Sequence, residues 1–192
     1  MWNTIFAKFN QAHARSKYAL IIAPKVTLLP LPIQRFDDPF LPLGKAIIQA
    51  SRDLVGAYVF DLASYLALGG AGAVALERTI DYINDEVPTI LHGAFATPQF
   101  APLADKAAFG VDTVTIAKHD LLEAYQQSPT FGAIVMGKVD DLTIGGWWQD
   151  DTMRLVNQAD GIELQVLPND FAHGDYGYKF AEILQQRLQA LV

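Results

Sequence analysis

The order of segments in this chain predicts an α/β fold, a (β/α) barrel of TIM type with parallel strands, shortened or incomplete. Three observations carry the prediction. Six apolar runs alternate with six stretches of helix formers, the signature of repeated strand–helix units. The runs are apolar throughout, as expected of strands covered on both faces. And the chain has 192 residues, whereas a complete barrel usually needs about 250, with about 200 near the floor. About six units are therefore expected within one domain spanning 1–192.

Residues 1–15 read as a helix with Ile5, Phe6 and Phe9 on one side; with Trp2, they suit a cover for the barrel bottom or a docking face for a partner subunit. The first strand, 18–23, is followed by a proline-rich loop over 27–44, because proline fixes φ and interrupts helices. Further strands are expected at 54–60, 87–91, 111–116, 131–137 and 161–167. The intervening stretches LGKAIIQASRD, GAGAVALERTIDYI, APLADKAAF, HDLLEAYQQ and WQDDTMRLVNQ, and the final YKFAEILQQRLQALV, read as helices. LTIGGWW, residues 142–148, is the best candidate for a seventh strand. An incomplete barrel leaves sheet edges that a second chain or a helix must cover, which favours self-association.

Bulk properties exclude several classes. The net charge of −7, without a block of Lys or Arg, argues against nucleic acid as a partner. No apolar run reaches the roughly 18 residues of a membrane span. Lys8, His13, Arg15 and Lys17 break every short apolar run at the start, so no secretory h-region is read and a cytoplasmic protein is expected. The absence of cysteine excludes disulfides, thiolate nucleophiles and zinc–thiolate sites.

The segment KAIIQASRDLVGAYVFDLASYLALGGAGAVALERTIDYINDEVPTIL, with AAFGVDTVTI further on, resembles the longer bacterial branch of the orotidine 5′-phosphate decarboxylase family. The family pattern runs "V-AYKP-IAFYEALG-EG", "L--TI-YI", "VPVILDAKRGDI" and "A-FGADAVTV", and the match covers roughly 17–116. The resemblance implies a barrel with its site at the carboxyl ends of the strands, no cofactor, and a homodimer. It also implies that the reaction has gone. The lysine of "AYKP" falls on Val59, and the Asp-x-Lys-x-x-Asp array falls on His92, Ala94 and Thr97. The first strand ends Ala23-Pro24 where the family has aspartate before proline. No Pro-Gly-x-Gly-Ala-Gln phosphate loop follows Val139. The expectation is a non-catalytic relative acting as a binding or scaffold protein, with a protein partner or a small phosphorylated ligand. Alternatives are repurposed chemistry on a small carbonyl or phosphorylated substrate, or residual decarboxylase activity in pyrimidine metabolism.

Asp61, His92, Thr97, Lys118 and His119 are the candidate ligand-binding residues, since all should lie near the ends of strands two to four. Asp61 and His92 could form an acid–base pair with Lys118 as electrophile. The blander reading, preferred here, has the first two bonding nearby backbone in a vacated cleft, filled by Val59, Phe60 and Phe95. Lys118, His119 and Asp120 then form the polar start of a helix. His173 with Asp170 and Asp175 has no ligand spacing, so no metal is expected and a solvated turn is read there. Gly69, Gly70 and Gly72 read as a turn into a helix, not a phosphate cradle. Trp147 and Trp148 must point in different directions, so one is expected in the core and the other at an interface.

Overall fold

The computed structural model describes residues 1–85, 87–128, 131–173 and 177–191. Helix α1 (Trp2–His13) precedes strand β1 (Tyr18–Ile22), and α2 (Phe40–Ser51) follows. Then come β2 (Ala57–Asp61), α3 (Leu62–Leu66), α4 (Gly70–Asp81), β3 (Thr89–Phe95), β4 (Thr113–Ile116), α5 (Leu122–Gln126) and β5 (Gly132–Met136). The chain finishes with β6 (Ile144–Gln149), β7 (Thr152–Asn157), β8 (Asp160–Val166) and α6 (Phe180–Gln189). The eight strands close into a barrel in sequence order.

Closure corrects the expectation of an incomplete barrel, and with it the inference of self-association from open edges. β1 to β6 run parallel, but β7 is antiparallel to both neighbours, and β8 returns parallel to β1. The shortening is achieved here. The expected helix WQDDTMRLVNQ is instead the end of β6, a tight turn and β7. Alternation decides it: Met153 and Leu155 are fully buried whereas Arg154 is exposed, and Asp150 and Gln158 adopt left-handed φ of 53° and 58° at the two turns. The seventh strand foreseen over 142–148 is β6.

Connecting parallel β5 to β6 takes only residues 137–143. Seven extended residues reach about 23–25 Å, enough to run back along a strand of about 17 Å without a helix. APLADKAAF is also not an α-helix. Its first part ends a 3-10 segment, Pro98–Ala104, because Pro102 inside it lacks the N–H that an α-helix would bond to the carbonyl four residues back.

Two apolar layers result. Leu20, Tyr58, Phe60, Leu91, Val114 and Val135 face outward to the helices; Ile21, Val59, Ile90, Ile134, Leu155 and Leu164 fill the barrel. Helix α1 belongs to the inner layer through Ile5, Phe6 and Phe9, and so closes the barrel bottom as its sequence suggested. Trp2 lies over Gly132, where a Cβ would come within 2.3 Å of the indole, and donates Nε1–H to the Val156 carbonyl at 2.8 Å. Lys8 ties the same helix to Asp112 at 2.8 Å, and Asp112 also accepts from Thr89 N at 2.8 Å. The glycine turn expected at 69–72 is found: Gly69 has φ +60°, α4 starts at Gly70, and a Cβ on Gly72 would strike the Tyr65 carbonyl.

Candidate functional site at the barrel mouth

The carboxyl ends of β1 to β4 converge on one end of the barrel. Asp61 ends β2 and caps α3: its Oδ2 accepts from Ser64 N at 3.0 Å and from the Ser64 hydroxyl. His92 is its register partner on β3. The imidazole packs on Trp148 of β6, ring centroids 5.0 Å apart, and its Nδ1 lies 3.0 Å from Thr115 Oγ1 of β4. Burial lowers the His92 pKa from its ordinary value, and the Asp61 charge opposes that shift.

Between Leu91 and Phe95 the β3–β4 register shifts. There Thr115 Oγ1 accepts from Gly93 N at 3.1 Å and Ala94 N at 2.9 Å. Ala94 sits at φ 44°, an uncommon left-handed position for a residue with a Cβ. Among the described residues, the hydroxyl of Thr115 is thus the hub of this mouth. Sequence reasoning passed over it, although the inward alternation of Thr113 and Thr115 along β4 was the available signal.

The remaining candidates do not join this cluster. Thr97 is exposed, and its carbonyl accepts from Tyr125 Oη at 2.7 Å. Lys118 and His119 are exposed at the start of a 3-10 turn (His119–Leu121), and their side chains show no hydrogen bond or ion pair among the described residues. Val59 fills the barrel interior where the resemblance puts a lysine, but Phe60 and Phe95 belong to the outer layer, contrary to expectation. Five surface hollows of about 300–340 Å³ lie elsewhere, and none is lined by Asp61, His92, Thr97, Lys118 or His119.

The expected solvated turn around His173 needs correction. His173 is only 5 % exposed, and its Nε2 accepts the Ala23 N–H at 2.8 Å, just past the end of β1. β8 pairs with β1 only as far as Ala19, so the imidazole supplies an acceptor for a backbone donor further along. Burial, reinforced by the Lys25 charge, pushes its pKa down to about 4, against a smaller raising effect of the Ile21 backbone. Asp175 lies outside the described residues. Trp148 is buried in the barrel core and donates Nε1–H to the Asp150 carbonyl at 2.9 Å; Trp147 is half-buried and lines a surface hollow with Lys138 and Arg154.

No family model matches the chain. Among curated proteins, it is 33% identical to the orotidine 5′-phosphate decarboxylase of Herpetosiphon aurantiacus over 118 residues, 58% of this chain and 44% of that one. It is 28% identical to the enzyme of that name from Thermomicrobium roseum over 171 residues, 78% of this chain and 61% of that one. The chain thus spans about half the length of these relatives. Among solved structures, a Toxoplasma gondii protein titled a putative orotidine-monophosphate decarboxylase superposes with a TM-score of 0.59 at 23% identity, over 73% of this chain and 49% of that one. A Streptomyces avermitilis protein of similar title gives 0.57 at 16%, over 71% and 54%. Among the described residues, no helix is long and apolar enough to cross a membrane.

Proposed function

We propose that this chain, a relative of the orotidine 5′-phosphate decarboxylases, has kept the barrel and lost the reaction, and that it acts by binding. The observation that carries this reading is the mouth itself. Val59 and Ala94 occupy the positions where the resemblance puts lysines, and neither can offset a carboxylate or deliver a proton. His92 is engaged by Thr115 and Trp148, and Asp61 by Ser64.

The connections that leave the strand ends expose apolar side chains, among them Val26, Leu28, Leu31, Phe36, Leu66 and Phe100. Exposed apolar clusters mark interaction surfaces. They support a protein partner at this end, a second copy of the chain in a homodimer being the first choice; Trp147 is a second candidate contact. A repurposed enzyme is the rival reading, favoured by Asp61 and His92 standing opposite one another. Calorimetric titration with uridine 5′-monophosphate, alongside light scattering for mass, tests the proposal. The expected results are no heat of nucleotide binding and a mass twice that of the chain. Micromolar binding, about −8 kcal/mol, would reopen the catalytic reading.

A further inference from the structure

We infer that Thr115 is a positioning residue that fixes His92 as the neutral Nε2–H tautomer, so that the mouth presents one uncharged N–H donor beside one carboxylate acceptor, a pair matched to a small neutral amide. A hydroxyl has two acceptor lone pairs and one hydrogen. The Gly93 and Ala94 N–H groups, at 3.1 and 2.9 Å, take both lone pairs of Thr115 Oγ1. Its hydrogen is left for the remaining neighbour, His92 Nδ1 at 3.0 Å. Nδ1 therefore accepts, and the proton of the neutral ring resides on Nε2. An imidazolium would set Nδ1–H against the hydroxyl hydrogen, so the same contact disfavours the charged ring.

On the other side, Asp61 gives its Oδ2 to Ser64 and makes no hydrogen bond through Oδ1 among the described residues. Both side chains are only partly buried, and among the described residues neither His92 Nε2 nor Asp61 Oδ1 makes a hydrogen bond. They project from directly paired positions of β2 and β3. An amide can accept from Nε2–H with its carbonyl and donate its N–H to Asp61. A carboxylate of the same shape meets the Asp61 charge and offers it no donor.

The choice of ligand rests on reading the mouth as a binding face; the tautomer does not, so the two fail separately. Long-range proton–nitrogen spectra of the imidazole ring at neutral pH read the tautomer directly. The wild type is expected to carry its proton on Nε2, Thr115→Ser to preserve that pattern, and Thr115→Val to shift it towards the Nδ1–H form. An Nδ1-protonated wild type, or a Thr115→Val ring unchanged from wild type, would overturn the positioning role. If Thr115→Val fails to fold, the wild-type and Thr115→Ser spectra still decide. Titration with acetamide and acetate then tests the pairing: acetamide is expected to move the His92 Nε2–H resonance at concentrations where acetate does not. Equal responses, or none to acetamide, would overturn the ligand class.

Discussion

Acidification should destabilise the barrel through His173, and the size of the effect follows from its burial. Burial holds the ring neutral, with the Lys25 charge reinforcing it, and the neutral Nε2 accepts the Ala23 N–H at 2.8 Å. Its pKa is about 4 in the folded chain against 6.5 for an ordinary histidine. Between those values the unfolded chain binds more protons, so stability rises with pH there. The contribution is complete above pH 6.5 and is lost as pH falls towards 4. Integrated, it amounts to about 3 kcal/mol in all, of which about 2 kcal/mol has gone by pH 5. Urea unfolding of wild type and His173→Gln at pH 7.5 and pH 5 isolates this group, since glutamine can accept the same N–H but does not titrate. The wild type should lose about 2 kcal/mol more than the variant over that interval. Equal losses would refute the account, because another group would then carry the pH dependence.

Three further outcomes follow from the packing. Leu155→Ala, at a fully buried inward position of β7, should cost about 2–5 kcal/mol in urea unfolding, whereas a helix over this segment would give no reason for strict inward alternation. Gly132→Ala forces a methyl against Trp2 and should lower stability by about 1–3 kcal/mol, recovered in part by Trp2→Leu, as a double-mutant cycle would measure. Glu163→Gln removes the partner of Arg154 on the outer face of β8, where both side chains are about half exposed, and should change stability by less than about 1 kcal/mol.

The parallel part of the barrel was legible because its strands are continuous apolar runs, and proline and glycine marked its breaks. The closing hairpins were less so. TMRLVN mixes helix formers with alternation over a mere six residues, too short for sequence periodicity to choose between helix and strand; the alternating burial and the two left-handed turns of the folded chain resolve it. The resemblance alone puts family positions on Val59, His92 and Ala94, and Asp61 accepts from the Ser64 backbone N–H, in keeping with the reading that it bonds nearby backbone. What pairing creates stayed hidden. Thr115 becomes the hub because of the register shift opposite it, and His173 is buried because β8 stops short of the end of β1. Neither fact is encoded in the residue's own neighbours along the chain.

The central claim is that the reaction has been lost from a retained barrel. It is tested most directly by incubating the purified chain at high concentration with orotidine 5′-phosphate and following loss of the substrate's ultraviolet absorbance over hours. The account predicts a rate indistinguishable from the protein-free control. Turnover above that control, abolished in Asp61→Asn or His92→Ala, would contradict it and identify the mouth as an active site.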